Sequence, residues 1–343
     1  MKFIAILAIL FLVTCTSKQE KPITETNEPI SINEEPDTII EPFVIAFGSC
    51  NKQNKAQPLW KDIIAEKPNL WIWLGDNIYA DTENEAVFDK KYAQQNSNIG
   101  YQQLKANTPI IGTWDDHDYG KNDGDKTFNS LAKKISKRKA LEFLEVPKDK
   151  PVWLRDGLYQ SYEYEVKNLL VRVILLDTRY FKDPITKGAN GYIPDAKADL
   201  LGVAQWKWLE TELAKAEDIL IIGNGTQILP QEHRFEKWAN YPTSRDRFLN
   251  LLAAEKTEKI ILLSGDRHIG EISKVELNNK NIYEVTSSGL THSYESAGDE
   301  PNQHRVGTLT PNLNYGLLKI TQSGQVGLIL SGLAQKRHLR VQL

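Results

Sequence analysis

Six short apolar runs mark the chain, and each gives way to polar or ionisable residues. FVIAF (43–47) precedes Gly48-Ser49-Cys50-Asn51, LWIWL (70–74) precedes Gly75-Asp76-Asn77, and PIIGTW (109–114) precedes Asp115-Asp116-His117-Asp118. LLVRVILL (169–176) precedes Asp177-Thr178-Arg179, DILIIG (218–223) precedes Asn224-Gly225-Thr226-Gln227, and KIILLSG (259–265) precedes Asp266-Arg267-His268. Each run has the length of a strand, and most are β-branched or aromatic. Such continuous apolarity suits strands covered on both faces. Helical patterns lie between them. One runs through Leu59, Trp60, Ile63 and Ile64, with Pro58 at its start and Pro68 as a stop; others span 127–145 and 203–217. In the last of these Trp206, Trp208, Leu209 and Leu213 form one stripe, read as core packing. After residue 270 the pattern alternates. EISKVEL, NIYEVTSS, NYGLLKITQ, QVGLILSG and HLRVQL read as antiparallel strands, and EYEVKNLLVRVILL reads as a hairpin turning at Lys167-Asn168. Segments 77–108 and 292–313 read as loops. The expected fold is a mixed α/β (α+β) layered domain over 42–343, two sheets face to face with helices outside.

The N-terminus breaks this grammar. Lys2 is followed by the apolar stretch Phe3–Val13, then Thr14, Cys15 and a polar segment. The stretch is shorter than the roughly 20 residues a membrane-spanning helix needs. It reads as an export signal over 1–14. Leu12-Val13-Thr14-Cys15 resembles a bacterial lipobox with Cys15 as the lipidated residue; the alternative is an ordinary signal peptide cut elsewhere. Residues 15–41 are rich in Glu, Thr and Pro and lack aromatics, which suits a flexible tether. The expectation is an exported bacterial lipoprotein, periplasmic or at the cell surface, held to a membrane by its lipid.

Composition adds little to that. The chain has 343 residues, 41% hydrophobic and 25% charged, enough for a large core. A formal net charge of −3 gives no electrostatic reason to expect nucleic acid, and no nucleic-acid-binding signature is visible. With Cys15 lipidated, Cys50 has no partner in the chain.

The chemistry gathers at strand ends. In α/β sheets ligands sit beyond the carboxyl ends of the strands. All six polar clusters follow such an end, so strands lying side by side would bring together Cys50, Asp76, Asn77, Asp115, Asp116, His117, Arg179, Gln227, Asp266 and His268. Carboxylates, an amide, imidazoles and a thiolate are metal ligands. Taken singly, Gly75-Asp76 is a turn or helix cap and Cys50 a small buried residue. Taken jointly these readings weaken, because every cluster holds the same place relative to its strand. His233, His304 and His338 lie in polar surroundings and read as surface residues.

FGSCN, LGDNIY, TWDDHDYG, LLDTRY and SGDRH, in that order, with SSGLTHS at 287–293, resemble the PhoD-like alkaline phosphatase family, a branch of the calcineurin-like metallophosphoesterases. The resemblance covers nearly all of 43–320. It implies a four-layer α/β/β/α sandwich and a dinuclear or larger metal centre between the sheet ends, with iron plus calcium as the expected metals. It implies that Asp76 bridges two metals and that Cys50 is a thiolate ligand to iron. Asp116 and His117 match the asparagine and histidine of the superfamily's GNH motif; Asp266 and His268 match the two histidines of its GHxH motif. Asn77 joins the ligand set. Arg179, with Gln227, would hold substrate phosphate, and His117 or His292 would steady the transition state or protonate the leaving group. Relatives often carry a tyrosine two residues after the cysteine, where this chain has Lys52. The implied activity is hydrolysis of phosphate mono- or diesters by a metal-activated water. The alternative is a surface lipoprotein that binds a metal or ligand without catalysis.

Overall fold

The computed structural model describes residues 41–343 other than Asp299. The expected signal segment, Cys15 and all of the expected tether but Glu41 lie outside the described residues. Among these residues fifteen strands follow in chain order. The first five are β1 (Phe43–Gly48), β2 (Leu70–Leu74), β3 (Ile110–Thr113), β4 (Gln160–Val166) and β5 (Leu169–Leu175). Next come a short hairpin, β6 (Lys187–Gly188) and β7 (Gly191–Tyr192), then β8 (Ile219–Gly223), β9 (Lys259–Ser264) and β10 (Gly270–Leu277). The last are β11 (Lys280–Ser287), β12 (Arg305–Thr310), β13 (Tyr315–Ile320), β14 (Val326–Ser331) and β15 (Arg337–Gln342). One sheet has the order β15-β14-β13-β1-β2-β3 and the other β12-β10-β11-β9-β8-β5-β4.

The strands that precede the polar clusters are the parallel ones. β1, β2 and β3 are mutually parallel in the first sheet, and β5, β8, β9 and β11 in the second. Their side chains alternate between two apolar surroundings, which explains the unbroken runs. Ile45 and Phe47 of β1, Ile72 of β2 and Ile261 and Leu263 of β9 meet between the sheets. Their neighbours Val44, Ala46, Trp71 and Trp73 face outward under α1 (Trp60–Ala65), α2 (Glu85–Asn96), α3 (Ile99–Lys105) and α5 (Ser130–Phe143). The one-turn helix α4 (Asp116–Tyr119) lies between them in the chain. Ile260 and Leu262 face outward under α6 (Gly202–Leu213) and α7 (Pro242–Ala254). The result is the expected α/β/β/α sandwich.

The hairpin at Lys167-Asn168 and the late antiparallel strands are found where the pattern puts them. Two loop readings are corrected. Segment 77–108 contains α2 and α3, and 292–313 contains β12. α2 buries only Phe88, Tyr92 and Gln95, too narrow a stripe for apolar periodicity to reveal. No helix among the described residues is long and apolar enough to cross a membrane.

Candidate metal centre

Where the parallel strands end, the backbone turns into left-handed conformations. Cys50, Asp76, Asp266 and His268 all have positive φ, between 50° and 65°. Few non-glycine residues adopt this region, and such strain collects at functional sites. At Gly75 (φ +90°) a Cβ would lie 2.4 Å from the Cβ of Asp115. Glycine therefore lets the ends of β2 and β3 close on each other.

Asp76 is the hub. Its Oδ2 accepts from Cys50 Sγ at 3.5 Å and from the Tyr79 hydroxyl at 3.3 Å, and its Oδ1 accepts the His117 backbone N–H at 3.4 Å. Among the described residues three donor groups form, two of them through Asp76: Cys50, Asp76 and His268; Asp76, Asp116 and His117; Asp115, Asp116 and Asp266. Within each group the candidate ligand atoms lie within 4.8 Å of one another. Asp76 belongs to two groups and Asp116 to two, so the donors form one continuous chain. His117 Nδ1 meets Asp81 Oδ1 at 2.7 Å.

Tyr79 is the residue that the sequence reading missed. Its hydroxyl lies 3.1 Å from His268 Nε2 and 3.1 Å from His292 Nε2. The signal was in LGDNIY, a tyrosine three residues after the aspartate. Lys52 stands where the resemblance leads to the expectation of a tyrosine, yet a phenol reaches the cluster from this other position. The Lys52 ammonium lies 5.5 Å from the centre of the Tyr79 ring.

The electrostatics show what the cluster lacks. Burial pushes the Cys50 thiol and the Asp76 carboxyl well up, and neighbouring carboxylates add to the rise at both. Burial takes Asp118 up to about 8 and Asp115 to about 6, the latter against the pull of Arg179. Asp116 moves the other way, to about 2, because Arg179, His117 and the Asp123 N–H outweigh burial. Burial would lower His117, but Asp76, Asp81 and Asp116 carry it up to about 10. Asp116 Oδ1 and Asn77 Oδ1 are buried without a hydrogen-bond partner. Carboxylates, a thiol, a phenol and imidazoles converging with acceptor atoms to spare fit a metal centre.

Several expected site residues are placed elsewhere. Arg179 is fully buried, and its guanidinium is already used: it donates to Asp115 at 2.6 and 2.9 Å and pairs with Glu236. It does not line the cavity above the cluster, so it is not positioned to grip substrate. The sequence could not reveal that two buried acids would claim it. Gln227 is also fully buried, donating to Glu271 at 2.7 Å and Thr286 at 2.8 Å, and does not line the cavity. Asn77 stays with the cluster: its Nδ2 donates to the Thr113 carbonyl at 3.0 Å, which ties the end of β2 to β3, and its Oδ1 is left without a partner. His233 is buried rather than at the surface, and both its ring nitrogens lack a partner. His304 and His338 are half-buried and belong to none of the donor groups.

A cavity of about 580 Å³ opens over the cluster, reached by Asp76, Asp116, His117, Asp266 and His268. His292 lies on another side, lining a separate cavity of about 600 Å³.

Residues 45–337 match the sequence pattern of a family described as PhoD-like phosphatase. Alkaline phosphatase D of Bacillus subtilis (strain 168) is 23% identical over 299 residues, covering 74% of this chain and 50% of that protein. The chain thus spans about half the length of this curated relative. Among solved structures, one described as the structure of PhoD superposes with a TM-score of 0.70 at 18% identity, covering 89% of this chain and 68% of the other. A purple acid phosphatase from yellow lupin (Lupinus luteus) superposes with a TM-score of 0.59 at 14% identity, covering 88% and 53%. At these identities the superpositions speak to the fold.

Proposed function

The chain belongs to the PhoD-like phosphatase family, and from that premise we propose that it hydrolyses phosphate esters at a metal centre built on Asp76. The observation that carries this reading is the convergence of Cys50, Asp76, Asp116, His117, Asp266 and His268 beneath one cavity, with carboxylate charge left over. Cys50, Asp76, Tyr79 and His268 would hold one cation. Asp116 and Asp266 would hold another, with Asp76 shared and Asn77 Oδ1 as a further oxygen donor. The thiolate and phenolate favour iron, and the carboxylate end favours calcium. Bound cations would neutralise phosphoryl oxygens and make water nucleophilic near neutral pH.

The chain's own groups do the rest. His117 reaches the cavity and His292 does not, which favours His117 as the group that serves the leaving oxygen. Asp81 accepts from its Nδ1 and so leaves Nε2 free to exchange a proton or a hydrogen bond with substrate. Arg179 acts at one remove, holding Asp115 against the end of β2. Whether a second alcohol is accommodated depends on the same cavity, so mono- and diesters are both candidate substrates.

The test is metal analysis of purified protein paired with assays on p-nitrophenyl phosphate and bis-p-nitrophenyl phosphate. At least one substrate should be turned over by protein carrying two or more metal ions per chain. Metal-replete protein that hydrolyses neither, with calcium present and across alkaline pH, would falsify the reading. For residues outside the described region we propose export and lipid attachment at Cys15, supported by Lys2, the apolar stretch Phe3–Val13 and Leu12-Val13-Thr14-Cys15. Palmitate should label the wild type and not Cys15→Ser; equal labelling would remove the anchor.

A further inference from the structure

The lining of the cavity over the metal-ligand cluster carries both signs of charge. Asp76, Asp116 and Asp266 of the donor cluster form its floor, whereas Lys187, Arg234 and Arg267 bring positive charge to the lining, with Asp123 and Glu236 beside them. Each of these three cations rests over an aromatic ring. Lys187 lies 5.0 Å from the centre of Tyr192, Arg234 5.2 Å from that of Phe235, and Arg267 4.2 Å from that of the same Phe235. A ring face orients a cation without cancelling its charge. Carboxylates cancel two of the three in part: Lys187 reaches Asp123 at 3.4 Å, and Arg267 pairs with Glu300. Arg234 is exposed and has no carboxylate partner among the described residues.

The platform under Arg234 is tied to the cluster. The Phe235 ring meets Tyr294 edge-on, centroids 5.6 Å apart at 82°, and the Tyr294 N–H donates to the His268 carbonyl at 2.7 Å. From the other side the β6–β7 hairpin closes on the Arg234 backbone. Gly191 has φ +117°, and a Cβ there would come within 2.3 Å of the Arg234 carbonyl oxygen, so only glycine allows the approach.

We infer that this wall is a subsite for a second anionic group carried by the leaving alcohol of the substrate, with Arg234 as the specificity-determining residue. The inference rests on the phosphoesterase reading of the cluster. A phosphoryl group over the floor directs the rest of the ester along the cavity wall. There an unpaired guanidinium offers charge-assisted hydrogen bonds to an oxyanion. The ring faces already carry cations, which makes them supports for charge rather than open surfaces for stacking.

Two non-hydrolysable probes test it: phenylphosphonate and 4-carboxyphenylphosphonate, titrated by calorimetry into the metal-loaded full-length protein. Wild type should bind the carboxylated probe about tenfold more tightly, the order expected of one hydrogen bond to a charged group. In Arg234→Gln that preference should fall to about twofold or less. A wild-type ratio near one, or a ratio unchanged in Arg234→Gln, overturns the subsite. Release of phosphate from phenyl phosphate and 4-carboxyphenyl phosphate separates the two ideas. If neither ester is hydrolysed while the probe preference holds and depends on Arg234, the phosphoesterase reading fails and the anion subsite stands. If both are hydrolysed and the probes show no preference, the subsite fails alone.

Discussion

Strand β5 introduces two buried arginines, Arg172 within it and Arg179 just past its end, and the acids around them make an instructive pair. Arg172 donates to Glu217 at 2.9 Å and Glu163 at 2.5 Å, and Glu212 lies 3.8 Å away. Lys215 takes a share of Glu212 at 2.7 Å, and Glu163 is half in water. No carboxylate there is left to itself. At the other end Arg179 and Lys182 between them balance Asp115 and Glu236. That pairing does not extend to Asp76 and Asp266, which have no Lys or Arg ion-pair partner among the described residues, nor to Asp116. The two ends use the same residue types. What separates a structural ion-pair network from a metal centre is the charge remaining after the arginines and lysines have been subtracted.

The sharpest way to break this comparison is to remove the shared donor. Asp76→Ala should empty the metal centre and lower phosphatase activity about 1000-fold or more, since even residues behind metal ligands cost 10–100-fold. Elemental analysis and turnover on the same sample check it. Glu217→Ala at the other end should leave the metal content untouched. Normal metal loading in Asp76→Ala would mean that the leftover charge at β2 is not what holds the cations.

Next come the arginines themselves. Arg179→Met leaves Asp115 buried without a cation and Glu236 with only Lys182. Breaking a fully buried pair in this way costs about 3–5 kcal/mol. Arg172→Met should cost less, about 1–3 kcal/mol, because water and Lys215 already serve two of its partners. Urea unfolding of both variants measures the difference. If Arg179 gripped substrate, its loss would raise KM and spare stability; that outcome would reverse the structural assignment.

Much of this was legible in the sequence, and the failures share a cause. Strand-end position was readable because β-strands impose a local period, and apolar runs 43–47, 70–74 and 259–265 each deliver a polar cluster to the same edge. The placement of Cys50, Asp76 and His268 at that edge follows from those runs. Arg179 sits at that edge but faces two buried acids and not the cavity. Its partners Asp115 and Glu236 come from other elements, and no local pattern records a contact between them. Tyr79 was hidden differently: its spacing from Asp76 was visible, but a tyrosine after a strand is ordinarily core. Arg234 lies in a segment with no periodicity, and its place in the cavity lining depends on Gly191 and Phe235, contacts that no local pattern records.

A third buried ionisable group sharpens the comparison with the smallest effect. His233 is neither paired like Arg179 nor in reach of the metal donors; both its nitrogens are unpartnered. Burial, with Arg267 and Lys237 nearby, holds its pKa well below the usual imidazole value. The protein thus keeps this group neutral instead of compensating it. The sign follows from linkage: the unfolded chain takes up a proton near pH 6.5 that the folded chain refuses, so stability falls as pH drops through that value. Between pH 7 and 5.5 one such group removes about 1 kcal/mol. Unfolding free energies of wild type and His233→Leu, measured at both pH values, should differ in slope by that amount, with the variant the flatter of the two. Equal slopes would mean that His233 takes its proton in the folded state too, and so has found a carboxylate partner.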